Sequence, residues 1–266
     1  MPDAYSFGWK PDPPDHRDLT YSAPLQQLAG LPSKVDLRPK CPPVYDQGHI
    51  GSCTANAIAA AIQYQRLAEG DQPDFVPSRL FIYYNERVIE HSVPYDAGAY
   101  IRDGIKSVNK LGVPPETDWP YSDKGYPKNP DDPRFERGAP AAKKPTATVY
   151  RTAAKYKVSS YARVGQLLPQ LKGCLAEGRP FVFGFSVYEN FFDAHGKPHT
   201  TTPMPKGGQV GGHAVMAVGY EDARSRFIIR NSWGPTNQVK GYFYMPYAYV
   251  TEPSLSSDFW TVRMVG

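Results

Sequence analysis

A cysteine at the start of a predicted helix is the residue of this sequence best suited to covalent chemistry. Cys53 follows a glycine-rich turn and Ser52, a residue type that favours the N-cap, and the alanine-rich run after it predicts a long buried helix that ends at Gly70. A helix N-terminus carries partial positive charge, which favours a thiolate over a thiol. Gln47 lies in the incoming loop, where its amide N–H can point toward the same place. A nucleophile, a backbone N–H and a side-chain amide donor are the parts of an acyl-transfer site with an oxyanion hole.

A histidine and an asparagine on two predicted strands could complete such a site. The runs 212–220 and 226–234 read as strands around a polar turn, and partners in an antiparallel pair share a midpoint at the turn. His213 and Asn231 share the midpoint 222, so we expect them close to opposite one another, within a residue of register. An asparagine oxygen there can accept the imidazole N–H and fix its tautomer, which leaves the other ring nitrogen to face a thiol. We expect Trp233 to cover the pair and exclude water.

Other interpretations compete with these roles. Cysteine is among the most buried residue types, so Cys53 could be a small core residue, and a histidine on a strand is more often structural. His49 is the rival base, because it lies close to Cys53 in the chain, but it sits in a turn with no orienting partner in sequence. His195 and His199 have a spacing that could suit a metal on a helix. They lie in a loop rich in Gly, Pro and Thr without a third ligand nearby, so we predict a surface loop, no metal site and no cofactor.

Length and composition exclude several classes of protein. The chain has 266 residues and a formal net charge of +4, and no basic run is dense enough to indicate nucleic acid binding. No apolar run approaches the ~20 residues of a membrane span, and the N-terminus lacks the pattern of a signal peptide. Its 3 cysteines argue against a disulfide framework. We expect a monomer, and both a cytoplasmic protein and one exported after loss of a leader stay open.

The hydrophobic pattern changes from helical to strand-like along the chain. A Pro-rich, aromatic leader over 1–33 fits neither period, and it either lies against the rest of the protein or is a floppy terminus. The region 34–147 is predicted to be mainly helical and 148–266 mainly β-strands, which together make an α+β protein of two subdomains. Helices are predicted after Ser52, over 77–87 with Ser78 as cap, over 97–112 and over 164–177, and a long ordered crossover over 114–148. Strands are predicted over 148–150, 155–158, 180–187, 213–220, 227–231 and 241–245.

Three motifs in this order resemble the papain-like cysteine proteases. They are Gln-Gly-x-x-Gly-Ser-Cys ending at Cys53, Gly-His-Ala-Val-x-Ala-Val-Gly-Tyr containing His213, and Asn-Ser-Trp-Gly beginning at Asn231. The resemblance runs from about Val35 to the C-terminus. It implies a papain-like fold, in which a helical subdomain and an antiparallel, β-barrel-like subdomain enclose the active-site cleft.

The same resemblance implies a cysteine endopeptidase that acts on peptides or proteins and needs no cofactor. Cys53 would be the nucleophile, His213 the general acid and base, Asn231 its orienting partner and Gln47 the oxyanion donor. We expect no nucleic acid and no membrane as partners. The residues implied to contact the substrate are Gly98 and Ala99 through their backbone, Ile101, Gly184 and Gly211 around the main specificity pocket, Gly212 and Trp233 along the cleft, and Ser257 or Asp258 near the pocket floor.

The sequence departs from the family pattern in several places. Ile50 stands where a disulfide cysteine is usual, Thr54 replaces an aromatic residue after the nucleophile, and Ala99 replaces a second glycine. The segment 1–33 is far shorter than the usual inhibitory propeptide, as in a bacterial, xylellain-like branch with a short leader. We expect this leader to shield Cys53 as in a zymogen, or alternatively to brace the helical subdomain.

Two further functions stay open at this point. A Cys-His acyl transferase of transglutaminase or amidase type would use the same chemistry with a different acceptor, and an assay with amine acceptors would separate it from a peptidase. A catalytically inactive binding module would keep the fold, but the loss of Cys, His or Asn that would favour it is not seen in this sequence.

Overall fold

The protein is described here by a computed structural model over residues 5–129 and 131–264. The first four residues of the predicted leader, position 130 and the last two residues lie outside the described ranges. Its helices are α1 (Leu25–Ala29), α2 (Cys53–Glu69), α3 (Arg79–Ile89), α4 (Ile101–Leu111), α5 (Ala147–Ala153), α6 (Leu168–Ala176) and α7 (Tyr247–Thr251). Its strands are β1 (Trp9–Lys10), β2 (Thr20–Tyr21), β3 (Lys34–Asp36), β4 (Ala99–Tyr100), β5 (Val158–Val164), β6 (Phe181–Tyr188), β7 (Gln209–Glu221), β8 (Arg226–Arg230), β9 (Tyr242–Pro246) and β10 (Ser256–Met264).

Helix α2 is the buried axis of the helical half. Every residue from Cys53 to Tyr64 is buried, and the many alanines let α3, α4 and the sheet approach closely. The helix ends at Gly70, whose φ of 76° lies in the left-handed region, as expected for a helix stop. Helix α3 begins after Ser78, whose hydroxyl accepts the N–H of Phe81, so the predicted cap is confirmed.

The other half is built on a sheet of 8 strands in the order β2-β5-β10-β6-β7-β8-β9, with β3 paired to β7. Its pairs are antiparallel except for β2 and β5, and the described strands form no closed barrel. Alternate residues face two cores, as the period of a strand requires. Val182 and Met216 face the core that contains α2, whereas Phe183 and Val215 face a second core with α6 on the other side.

The described part of the leader, from residue 5 onward, contacts both halves. Strand β1 pairs in parallel with β4, and β2 pairs in parallel with β5 at the edge of the sheet. The interpretation of the leader as a floppy terminus is therefore wrong for the residues that the structure describes. It crosses from the sheet edge to the point where α2 meets β7.

Several elements differ from the sequence prediction. Residues 148–150 belong to helix α5 and not to a strand, because the Thr146 hydroxyl accepts the N–H of Val149 and caps the helix. The strand predicted at 155–158 begins only at Val158 and runs to Val164 as β5. It therefore includes position 164, where the sequence predicted the start of the helix that is α6. Helix α4 starts at Ile101 and not at position 97, since the residues before it pair with the leader. Strand β10, which lies between β5 and β6, was not predicted.

Within the described ranges, no helix is both long and apolar enough to cross a membrane.

Candidate active site

Cys53 is the first residue of α2, and it is fully buried between the two halves of the protein. Its Sγ accepts the N–H of Ala214 at 3.4 Å, so the thiol lies against β7 beside the residue that follows His213. Ser52 makes no side-chain capping bond, contrary to the sequence prediction, because its hydroxyl instead bonds the Tyr121 hydroxyl at 2.6 Å. Tertiary contacts, and not a local cap, therefore hold the start of this helix.

His213 and Asn231 meet through their side chains, although the predicted register is wrong. The hairpin turn lies later in the chain than expected, since Glu221 pairs with Arg226 and Met216 with Arg230. The two residues are therefore not directly opposite on the ladder. Their side chains still approach, and His213 Nε2 lies 2.8 Å from Asn231 Oδ1.

The hydrogen-bond network around Asn231 fixes the tautomer of His213. Asn231 Nδ2 donates to Gln238 Oε1 at 3.0 Å, and the Ser232 N–H donates to Asn231 Oδ1 at 2.8 Å, so the atom facing the imidazole is an acceptor. Nε2 therefore carries the proton in the neutral ring, and Nδ1 carries the lone pair. Nδ1 is buried and has no hydrogen-bond partner among the described residues. Trp233 stacks on the ring at a centroid distance of 4.5 Å, as expected for a cover over the pair.

Gln47 is fully buried in the loop that leads to α2. Ser232 Oγ donates to Gln47 Oε1 at 2.7 Å, which turns the amide nitrogen away from Ser232. Gln47 Nε2 donates to the carbonyl oxygens of Ile50 and of Ser6 in the leader, both at 3.1 Å. The amide that the sequence suggested as an oxyanion donor therefore binds a carbonyl oxygen of the leader.

The leader backbone runs through the site between two glycine-containing segments. The Gly8 N–H donates to Gly212 O at 3.1 Å, and the Ala99 N–H donates to Gly8 O at 2.7 Å. Position 8 admits only glycine, because a Cβ there would lie 1.8 Å from the carbonyl oxygen of Gly51. Gly98 has a φ of 64°, and a Cβ on it would lie 2.1 Å from Gly8 O. These backbones fit each other only because side chains are absent.

Trp9 of the leader fills a pocket in the same cleft. Its indole ring contacts Gly184 and Gly212, and its Nε1 donates to Asp258 Oδ2 at 3.1 Å. Asp258 is the acceptor at the inner end of this pocket and has a left-handed φ of 61°. Phe7 lies against Gly211 on the other side, with its ring edge-on to His213.

The predicted substrate residues thus have different surroundings. Gly98, Ala99, Gly184, Gly211 and Gly212 contact the leader, and Trp233 contacts both His213 and the leader ring of Phe7. Ile101 is completely buried at the start of α4, and Ser257 is half-buried on β10, where it pairs with Gly184.

Burial sets the ionisation of the pair in this covered form. It raises the pKa of the Cys53 thiol to about 12, against a partial lowering by the N–H groups of Ala214 and Gly8. Burial also lowers the pKa of His213 to about 4, although the hydrogen bond to Asn231 partly raises it. The sequence predicted a thiolate at position 53, whereas the covered pair is a neutral thiol and a neutral imidazole. The difference arises because both side chains are fully buried in this structure.

A cluster of charges holds the leader beyond Trp9. Arg163 on β5 contacts Asp12 and Asp18 of the leader, each at 3.2 Å, and Asp258 at 3.4 Å. Arg102 on α4 binds Asp18 at 2.6 Å. The Trp260 indole donates to Asp12 Oδ2 at 2.9 Å. We call these residues the charged clasp.

The remaining histidine candidates lie elsewhere. His49 Nδ1 lies 2.8 Å from Asp123 Oδ2 and its ring stacks on Tyr126, so it has an orienting partner that the sequence did not reveal, and its bonds are to Asp123 and not to Cys53. In the part of the chain that the structure describes, no group of three or more His, Cys, Asp or Glu side chains could hold a metal ion. Cys41, Cys53 and Cys174 are all free thiols.

Two residues of the site were missed by sequence reasoning. Ser232, which orients Gln47, is the second residue of Asn-Ser-Trp-Gly, so its place in the motif was the available signal. Tyr121, which contacts Ser52, lies in the aperiodic crossover 114–148, where no pattern points to the site.

Comparison with known proteins gives the family. The profile of the papain family cysteine proteases matches residues 31–258. An uncharacterized peptidase C1-like protein of Acanthamoeba polyphaga mimivirus is 37% identical over 98% of this chain and 87% of its own. The crystal structure of xylellain, a cysteine protease from Xylella fastidiosa, superposes with a TM-score of 0.92 at 51% identity over 98% of this chain and 97% of that chain. The procathepsin B S9 of Trypanosoma congolense shares the fold, with a TM-score of 0.72 at 16% identity over 98% of this chain and 86% of that chain. The chain therefore belongs to the papain family and is a papain-like cysteine peptidase, a hydrolase that acts on peptides or proteins.

Proposed function

We propose that this peptidase is an endopeptidase that uses Cys53 as nucleophile, His213 as general acid and base, Asn231 as the group that orients His213, and Gln47 as oxyanion donor. The observation that carries the proposal is the free Nδ1 of His213. It is a buried acceptor beside the residue whose N–H binds Cys53 Sγ. Gln47 Nε2 completes the constellation, since it already donates to a peptide carbonyl in the cleft.

The reaction then follows from the atoms present. The proton of Cys53 Sγ moves to His213 Nδ1, and the sulfur forms a bond to the substrate carbonyl carbon while the carbonyl π electrons move to the oxygen, which accepts the Gln47 Nε2–H. The oxygen lone pair re-forms the carbonyl as the C–N bond breaks, and His213 gives its proton to the leaving amine. Water, deprotonated by His213, attacks the thioester, and the thiolate leaves with the proton that His213 returns. Nε2 keeps its own proton throughout and donates it in the hydrogen bond to Asn231 Oδ1, which holds the ring in one tautomer.

The leader acts as an intramolecular block in this proposal. Ser6 O uses the Gln47 donor, and the Gly8 N–H, which donates to Gly212 O, partly lowers the pKa of Cys53. Different peptide units of the leader therefore bind the oxyanion donor and act on the pKa of the nucleophile. A carbonyl carbon held by both at once is what attack requires, so the leader fills the cleft without presenting a bond for cleavage.

Two properties make the block effective. The leader is covalently attached, so even weak contacts act at a high effective concentration. It also keeps the catalytic pair neutral, because burial raises the pKa of Cys53 and lowers that of His213. Release of the leader rehydrates the pair and favours the reactive thiolate and imidazolium.

The test is a cleavage profile over a peptide library, followed by mass mapping of the acyl or alkyl adduct. Cys53→Ala should abolish hydrolysis and the adduct. Cys41→Ala is the matched control, because Cys41 is a free, half-buried thiol whose Sγ bonds Leu37 O outside the cleft, and it should retain both. Hydrolysis by Cys53→Ala would overturn the proposal. Transfer to an added amine in place of hydrolysis would assign the same residues to an acyl transferase.

A further inference from the structure

The hydroxyl of Tyr121 joins the two segments that carry the proposed nucleophile and the oxyanion donor. Tyr121 Oη donates to the carbonyl oxygen of Gln47 at 2.7 Å, and it lies 2.6 Å from Oγ of Ser52, the residue before Cys53. We propose that Tyr121 is a positioning residue for the oxyanion donor, which it holds at the correct distance from the nucleophile. The inference rests on the proposed function, because it assigns a role that acts through Gln47.

The direction of each hydrogen bond in this group can be assigned. A phenol has one proton, and Tyr121 uses it on Gln47 O, which has no proton to give. Ser52 must therefore donate its proton to Tyr121. Its own acceptor capacity is used by Asn56 Nδ2, which donates to Ser52 Oγ at 3.0 Å. The Arg79 guanidinium donates to Asn56 Oδ1 at 3.1 Å. The donors thus run in one direction, from Arg79 through Asn56, Ser52 and Tyr121 to the carbonyl of Gln47.

A partly buried ion pair anchors the far end of this chain of donors. Glu116 binds Arg79 in a bidentate manner, with distances of 2.9 and 2.8 Å. The Arg79 guanidinium lies over the Tyr121 ring at 3.9 Å from its centroid, and it also donates to Asp46 O at 2.9 Å. Consecutive carbonyls, those of Asp46 and Gln47, are therefore held by one connected group.

Gln47 is thereby fixed from both halves of the protein. From the sheet side, Ser232 O accepts the Gln47 N–H at 2.9 Å, and Ser232 Oγ donates to Gln47 Oε1. From the helical side, Tyr121 holds Gln47 O. Because the oxyanion develops only in the transition state, a displaced donor lowers kcat more than it changes substrate binding. Misplacement by about 1 Å can cost up to about 100-fold in rate.

The change that tests this role is Tyr121→Phe, which removes the hydroxyl and keeps the ring over Arg79. We expect kcat to fall about tenfold with an unchanged KM. The rate at which iodoacetamide alkylates Cys53 should not change, because displacement of iodide needs no oxyanion donor. Tyr150→Phe is the matched control, since it removes another hydroxyl of the helical half, bonded to Asn85 at 2.8 Å, and it should leave kcat unchanged.

A double-mutant cycle with Gln47→Ala decides whether Tyr121 acts through Gln47. Gln47→Ala should lower kcat, and the addition of Tyr121→Phe should lower it no further. An unchanged kcat in Tyr121→Phe, an equal loss in the alkylation rate, or a full tenfold loss in the Gln47→Ala background would each overturn the inference while the peptidase mechanism stands. An unchanged kcat in Gln47→Ala would instead remove the oxyanion role from the proposed function, and the inference would fail with it.

Discussion

Two parts of the leader bind the protein by different physical means. Residues 6–9 enter the cleft and bind through backbone hydrogen bonds and apolar rings, with Trp9 almost fully buried. Residues 12–18 bind outside it through the charged clasp, in which Asp12 and Asp18 meet Arg102 and Arg163. The first contact lies beside Cys53 and involves one charged side chain, that of Asp258, so it should respond less to salt and pH than the second. The second contacts neither Cys53 nor His213, so we expect it to tune how firmly the first is held.

Trp9→Ala should have the largest effect on the cleft contact. It removes a buried ring, a change that typically costs ~3–5 kcal/mol, and it leaves the Asp258 carboxylate without the indole donor. The form with the leader in the cleft should lose most of its stability relative to the form with the leader released. The rate of hydrolysis of a small peptide should therefore rise by about 100-fold. The initial rate at substrate concentrations well below KM measures this.

Trp9→Phe separates packing from hydrogen bonding in the same pocket. It keeps an aromatic ring against Gly184 but cannot donate to Asp258. Its rate should lie between those of the wild type and Trp9→Ala. Equal rates in all three proteins would mean that the pocket contact does not control access to Cys53.

Asp12→Asn should have a smaller effect that depends on pH. Burial, together with the nearby Asp258 carboxylate, raises the pKa of Asp12 to about 6 in the covered form, whereas an exposed Asp titrates near 3.8. The covered form therefore binds the proton more tightly. Its stabilisation by this proton is complete below pH 3.8 and is lost as the pH rises through about 6. Asn imitates the protonated carboxyl, so the ratio of the variant's rate to the wild-type rate should be close to one below pH 3.8 and should fall as the pH rises through about 6, by about tenfold between pH 5 and pH 8.

The ratio of the Asp12→Asn rate to the wild-type rate at each pH isolates the titration of Asp12, since His213 and Cys53 titrate in both proteins. Asp15→Asn is the control, because Arg17 and its backbone N–H hold the pKa of Asp15 below its ordinary value and keep it charged over this range. Its ratio to the wild type should not change with pH. A ratio for Asp12→Asn that is also flat, or a variant more active than the wild type near pH 8, would contradict the account of the charged clasp.

Lys106→Gln should have the smallest effect. Among the described residues, the ion pair of Lys106 with the leader is with Asp15, at 3.7 Å, and the Lys106 side chain is 39% exposed. Exposed pairs of this kind typically contribute at most ~1 kcal/mol, so the rate should change by less than about threefold. A change as large as that of Asp12→Asn would mean that surface charge, and not the buried clasp, holds residues 12–18.

The sequence predicted most readily what depends on local pattern. The first turn of α2, its stop at Gly70 and the Ser78 cap follow from residue types over one or two turns, and the family came from motifs around Cys53, His213 and Asn231. The helix over 147–153 was missed because β-branched Thr148 and Val149 favour strands, whereas the Thr146 cap decided the outcome. The local strand propensity of these residues was therefore weaker than the effect of the helix cap.

Other features depend on contacts between residues distant in sequence. Ser52 looked like a cap, but Tyr121, which follows it by 69 residues, takes its hydroxyl. The neutral state of Cys53 and His213 follows from their burial, which no composition or period reveals. The register of the His213 hairpin depends on where the turn begins. A shift of the turn along the chain changes which residues are cross-strand partners, although the side chains of His213 and Asn231 still meet.

The most direct test of the central claim, that the leader covers a reactive Cys53, is the rate of Cys53 alkylation by iodoacetamide in Gly8→Ala and Gly30→Ala, mapped by mass spectrometry. A Cβ at position 8 would meet the Gly51 carbonyl oxygen at 1.8 Å, so Gly8→Ala should unseat the leader from the cleft. Gly30 is a leader glycine whose Cβ would lie no closer than 4.0 Å to its nearest neighbour, so Gly30→Ala should behave as the wild type. We predict alkylation at Cys53 at least about tenfold faster in Gly8→Ala than in Gly30→Ala, because exposure to water restores thiolate character. Equal rates in the two variants would contradict the claim.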